Sequence, residues 1–181
     1  MSRLFLCFSL VEILLFASPL AEQAEAAASS YDDPEAYKVY AVILPSEAIW
    51  KSAKTLMIRV GTESFANCVT PDEKMQPIAD PAIDDYVHKS ERKWLRRNFE
   101  IDKPYELIYS DQIKTLFASG GDGWQAFYER YPDSGGYVEL SPVRGNDDRT
   151  VAVVYMGHHC HWLCGGGHQY VLQKKKASGS A

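Results

Sequence analysis

The chain has no apolar run able to cross a bilayer: its longest hydrophobic stretch, residues 4–17, is broken by Ser9 and Glu12, whereas a spanning helix needs about 20 apolar residues. It also has no excess of basic charge. With 19 Lys and Arg against 24 Asp and Glu the formal charge is −5, which excludes a nucleic-acid binder whose affinity rests on a basic surface. There is no G-x-S-x-G, no phosphate-cradling glycine loop, no H-E-x-x-H and no EF-hand acid pattern, so the common local signatures of hydrolases, nucleotide enzymes and metalloproteases are missing. The acid pairs Asp32-Asp33, Asp84-Asp85 and Asp147-Asp148 are sequence neighbours and do not converge on one substrate as a glycosidase pair does. Cysteine is scarce, with four residues, and no internal repeat is visible. What is present is ordinary for a globular domain: 181 residues, 46% hydrophobic, 24% charged, with 12 glycines and 9 prolines.

The first 26 residues read as a secretory signal. Arg3 precedes Leu4–Val11 and Ile13–Ala17, and Ala24-Glu25-Ala26 offers an A-x-A cleavage site. Cleavage after Ala26 removes Cys7 and, by taking Arg3 with Glu12, Glu22 and Glu25, brings the charge from −5 to −3. The product is a secreted or periplasmic protein with no integral membrane segment. Its remaining length, roughly 155 residues, buries about two-thirds of the unfolded surface, so no covalent staple is obligatory. A single domain over residues 27–176 is expected, with 177–181 as a disordered tail.

Asp33-Pro34-Glu35 is a helix start, followed by Tyr37, Tyr40, Ala41 and Leu44 at helical spacing. Thr55–Val60 reads as a strand ending at Gly61. Asp80-Pro81 begins a second helix, expected to reach about Asn98 because Ile83, Tyr86, Val87, Ser90 and Trp94 recur at steps of three and four. Tyr105–Tyr109 gives another strand, and Ser110 opens a short helix with Ile113, Leu116 and Phe117. The stripe Trp124, Phe127, Tyr128 and Tyr131 sits at helical spacing and reads as core. Gly136–Ser141, Thr150–Met156 and Gln169–Gln173 are three strands, the middle one apolar on both faces and therefore central. The fold class expected is α+β, with N-terminal helices packed on a C-terminal antiparallel β-meander and glycines 165–167 helping to join its last two strands.

Four of the five histidines and two cysteines fall within Gly157–His168. One account is a disulfide between Cys160 and Cys164 in an oxidising compartment. Bridged Cα atoms lie about 4.4–6.8 Å apart, while four residues of extended strand span roughly 13 Å, so the bridge demands a turn. Closing so small a loop contributes at most about 2 kcal/mol by chain entropy, and serves to fix the connection. The other account is a copper or zinc site, or a redox pair, drawing on His158, His159, Cys160, His161, Cys164 and His168, because thiolate and imidazole suit both metals. Cys68 is left over and reads as buried and inert beside Phe65, Ala66 and Val69.

The run Gly135–Val143, the strand Thr150–His158 and the Cys160-x3-Cys164-Gly165-Gly166-Gly167 loop resemble a family of small exported bacterial proteins, common in acidobacteria, to which no function is assigned. The resemblance implies export and the cysteine loop, and brings no catalytic residue. The chain departs from that pattern at His161-Trp162, where glycines are usual, and at Lys174-Lys175-Lys176, where the family's last strand ends Gly-Lys-Trp. The Cys-x3-Cys with histidine is also similar to copper-carrying Sco proteins, where the pair instead opens a helix early in a thioredoxin-like fold. Together these readings give an exported domain, non-enzymatic, without a cofactor, binding an unknown partner or small ligand. The alternative is copper or zinc handling, or thiol redox work, at the same loop; an enzyme with a site dispersed over separate segments is the third reading.

Exported material is expected to begin near Ala27 and to lack Cys7; N-terminal sequencing that finds Met1 or Ser2 on it refutes the signal reading.

Overall fold

Leu56–Arg59 (β1) lies parallel to Tyr105–Ile108 (β2) on one edge and to Tyr137–Leu140 (β3) on the other. The computed structural model describes residues 30–46, 51, 53–63, 76–89, 92–118 and 120–175; the signal segment, Cys7, Cys68 and the 177–181 tail lie outside these. Val151–His161 (β5) runs antiparallel to β3 and to the short strand Arg144–Gly145 (β4), which share one of its edges, while Cys164–Gln173 (β6) pairs along the other. The protein is α+β, with four α-helices and a six-stranded sheet among the described residues.

The sheet is mixed, which corrects the expected antiparallel meander. Only β3 to β6 are antiparallel; the β1 to β2 and β2 to β3 connections are long enough to carry crossovers, and crossovers return the chain parallel. The helices do not form an N-terminal layer either. Pro34–Ile43 (α1) is capped by Asp33, whose carboxylate accepts from Glu35 N at 3.1 Å. It packs Ala36, Tyr37, Tyr40 and Ile43 on one sheet face, against Leu56, Ile58, Val138, Leu140, Val154 and Met156. Gln76–His88 (α2), Ser110–Ala118 (α3) and Gly123–Arg130 (α4) cover the opposite face. There α2 sets Ala82 and Tyr86 against Val151 and Val153. Alongside, α4 sets Trp124 and Phe127 against Met57 and Ile108, so the aromatic stripe is core as its period suggests.

Two further expectations change. The second helix stops at His88 instead of continuing to Asn98, and residues 92–95 are extended. Trp94 bridges Gly61 and Ser30, Thr62 N donates to Lys93 O and Leu95 N to Val60 O. The segment thereby satisfies backbone groups beyond β1 that a helix would leave unpaired. Leu95 and Phe99 then enter the core under α1, so the β1-to-β2 connection contributes to both faces, α2 to one and this segment to the other. Glycines 165–167 lie inside β6, and the connection is the two-residue turn Trp162-Leu163. A Cβ at 167 would stand 2.0 Å from the Tyr155 hydroxyl, so a larger residue there would have to displace that ring. The expectation that β5 is central holds: Val151, Val153, Val154 and Met156 are buried, with neighbours on both edges.

Tyr40 is wholly buried and its hydroxyl donates to Ser141 O at 2.8 Å, tying α1 to the end of β3. Burial pushes its phenol well above the usual range, so it stays a donor. Tyr40→Phe is expected to lower stability by about 1–3 kcal/mol, the range for removing one partner of a buried hydrogen bond. In urea unfolding the midpoint should fall with the slope unchanged; an unchanged midpoint contradicts the assignment.

Candidate functional site

Beyond His159, β3 no longer accompanies β5, and the β5–β6 hairpin continues as a two-stranded ribbon closed by its disulfide. Cys160 and Cys164 are bonded with their Cα atoms 5.2 Å apart. The turn that the sequence demanded is present: His159 pairs with Gly165 and His161 with Cys164, and Cys160 is left as a bulge between them. Residues directly opposite one another in an antiparallel ladder share a face. His158, opposite Gly166, and His168, opposite Met156, therefore lie on the α1 face. His159 lies on the other face, stacked on Tyr137 with ring centroids 4.7 Å apart, and His161 stacks on Trp124 at 6.5 Å. The six residues that the metal account draws on are thus split between two faces and a bonded sulfur pair. Among the described residues no group of three or more His, Cys, Asp or Glu is placed to hold one ion. Copper or zinc at this loop requires the bond to open first, since a bridged pair offers no thiolate.

The ribbon is held down by α4. Tyr128 donates its hydroxyl to Cys160 O at 2.6 Å, Trp162 donates Nε1 to the Asp122 carboxylate at 3.1 Å, and the Trp162 ring meets Phe117 edge-on at 5.8 Å. Asp122 also caps α4 by accepting from Trp124 N at 3.0 Å, so one carboxylate orders both the helix start and the turn. Even so, Trp162 remains 63% exposed and Leu163 wholly exposed.

Behind His159 lies a charged cluster that sequence reasoning missed. Arg59 donates Nη1 to Glu139 at 2.6 Å, Nη2 to Glu63 at 2.7 Å and Nε to Ser110 Oγ at 3.1 Å. Arg92 also pairs with Glu63. The Glu139 side chain is 7% exposed and that of Arg59 17%. Every nitrogen of the Arg59 guanidinium has a partner, so the cluster acts as a clamp joining β1, β3 and the start of α3. Alternation gave a hint, placing Glu139 on the face of Tyr137 and Arg59 on that of Met57. Nothing local revealed that β1 and β3 are neighbours. Ser141, an isolated hydroxyl in the sequence, is also structural: its Oγ accepts from Tyr155 N at 2.8 Å and donates to Pro142 O at 3.0 Å.

His159 is the titratable group at the junction of clamp and ribbon, with Nε2 3.7 Å from the Glu139 carboxylate. Burial lowers its pKa, as do Arg59 and His158, while Glu139 pulls the other way. No protein-family model matches the chain, and neither a curated protein nor a solved structure shows significant similarity to it. Among the described residues no helix is long and apolar enough to cross a membrane.

Because folding depresses the His159 pKa, the unfolded chain takes up this proton first. The histidine's contribution is complete above about pH 6.5, the unfolded value, and is lost as pH falls below it toward the lower folded value. His159→Gln is expected to flatten the decline of unfolding free energy below pH 6.5 by up to one proton's worth of slope. Denaturant unfolding at a series of pH values measures this, and identical slopes in both proteins refute it.

Proposed function

We propose that this protein is an exported, non-enzymatic binding domain that recognises a protein partner with the disulfide-closed end of its β5–β6 hairpin. The observation that carries the reading is the exposure of Trp162 and Leu163 side by side on a two-residue turn whose backbone is fixed from both ends. Tryptophan is among the residues most enriched in the few that dominate interface energetics, and Leu163 beside it extends the apolar surface. An anchor already held in its bound geometry loses less conformational freedom on association. The Cys160–Cys164 bond, the Tyr128 contact and the Trp162–Asp122 hydrogen bond supply that preorganisation. The signal-like first 26 residues and the bonded cysteines support an oxidising, extracytoplasmic setting.

The test is a photo-crosslinking residue, benzoylphenylalanine, at position 163 of the full chain exported by the cells that make it. A discrete adduct is expected in the exported fraction. It should disappear when Trp162→Ala is combined with the crosslinker, and fall at least tenfold when the disulfide is reduced. A crosslinker placed at exposed Asp147, in the turn at the opposite end of β5, should give no such adduct. Failure to form an adduct at 163, or an adduct indifferent to Trp162 and to the disulfide, overturns the reading.

A further inference from the structure

At the other end of β5, far from the disulfide, the outer side of α1 and the ends of β5 and β6 enclose an open groove of about 740 Å³. Sites for small ligands run from roughly 300 to 1,000 Å³, so the volume suits a small molecule. Its floor is apolar. Val42 projects from α1 into solvent, Val39 is half-buried at the edge of the core, and Leu172 and Ala152 come from β6 and β5, where they are cross-strand partners. Val42 is 64% exposed, an apolar side chain on a helix face that nothing in the described structure covers.

The charge around this floor runs against that of the protein. The whole chain carries −5, yet six basic side chains against four acidic ones line the groove. Three of the four acids hold bases. Glu35 accepts from Lys38 and from Lys174, each at 2.7 Å, so that pair of ammonium groups around one carboxylate keeps a net positive charge. Each lysine has three donor hydrogens and uses one on Glu35. Arg149 leans on Asp33 at 3.3 Å, and Lys89 pairs with Asp85. Arg144 reaches the Lys89 carbonyl at 2.8 Å and makes no ion pair among the described residues.

The polarity is ordered along the helix. Glu35, with its two lysines, stands in the first turn of α1 and Val42 in the last, about 10 Å apart along the axis at 1.5 Å per residue. The α1 side of the groove is therefore cationic at one end and apolar at the other.

We propose that this groove binds a single-chain amphipathic carboxylate, its head between Lys38 and Lys174 and its chain laid along Val39, Val42 and Leu172. Both halves of the ligand are matched. The head meets ammonium groups already fixed by Glu35, and the chain covers apolar surface now open to water. This site is separate from the hairpin and stands or falls independently of it.

The test is calorimetric titration of the mature chain with decanoate below its micelle concentration. Saturable one-to-one binding is expected. Val42→Asp, at a surface position where the fold tolerates a polar side chain, should weaken it at least tenfold, as should the pair Lys38→Gln with Lys174→Gln; melting curves verify that each variant is folded. Decyltrimethylammonium should not bind, and decanol should bind at least tenfold more weakly than decanoate. Trp162→Ala should leave decanoate binding unchanged, which separates this site from the hairpin. Absence of saturable binding, or unchanged affinity in both groove variants, overturns the proposal. So does equal affinity for decanol, or binding to phosphatidylglycerol vesicles without binding of monomeric decanoate, which would mark the face as a membrane contact.

Discussion

The structure depends on one strand being paired along both edges and buried on both faces over the same residues. Val151, Val153, Val154 and Met156 of β5 are each at most 2% exposed, and they divide between two apolar clusters on opposite sides of the sheet. Every polar backbone group of such a strand must be met within the sheet, so β6 on one edge, and β3 with β4 on the other, follow from it. Both faces also need cover, which obliges the helices to distribute themselves: α1 on one side, α2 to α4 on the other. The two ends of the same strand then become the places where cover runs out. One end is the disulfide ribbon, and the other is the groove beside α1.

The parallel half of the sheet has a different support. The β1–β3 ladder consists of two registered pairs, Met57 with Tyr137 and Ile58 with Val138, which is short for a joint that binds the two halves of the sheet. Arg59 and Glu139 sit one step further along and bond directly. Burying two charges carries a desolvation penalty that their attraction offsets only with good geometry and full hydrogen bonding. Both conditions are met, since Arg59 also engages Glu63 and Ser110. The consequence is register: a slip of one residue would turn Arg59 and Glu139 to opposite faces and leave each without its partner.

The elements were legible in the sequence wherever the signal is local. Asp33-Pro34 marks a real cap, the Trp124 stripe is core, the apolar strand 150–156 is central, and the cysteine spacing requires a turn that is there. What was not legible depends on residues distant in sequence. The strands Leu56–Arg59 and Tyr105–Ile108 carry no mark of direction or partner, so nothing local showed that they pair in parallel and join the C-terminal strands in one mixed sheet. Trp94 keeps helical spacing with Tyr86, yet its fate is decided by Val60, Gly61 and Thr62, whose backbone groups need partners. Glycines 165–167 look like a loop because glycine usually signals one. Here Gly167 is a strand position emptied of its side chain to admit Tyr155. The Arg59–Glu139 clamp was invisible for the same reason as the sheet order: both members look like ordinary strand residues until β1 and β3 are side by side.

The disulfide is best understood by asking what the ribbon would be without it. An isolated two-stranded hairpin is marginal in water, and past His159 the β5–β6 ribbon has lost β3 as a neighbour. The entropy of closing a loop between Cys160 and Cys164 is small against the stability of a whole domain, at most about 2 kcal/mol. It is large against the local free energy of fraying, which at a hairpin end lies near zero. The bond therefore acts where the sheet stops acting. It does so together with α4, through Tyr128 on the Cys160 carbonyl, Trp124 under His161 and Asp122 on the Trp162 indole. Three anchors and a covalent bridge order a two-residue turn that shows water a tryptophan and a leucine. That much local order around an exposed apolar pair is unnecessary for folding the core, which is complete by Met156, and it is the physical argument for recognition at this end of the molecule.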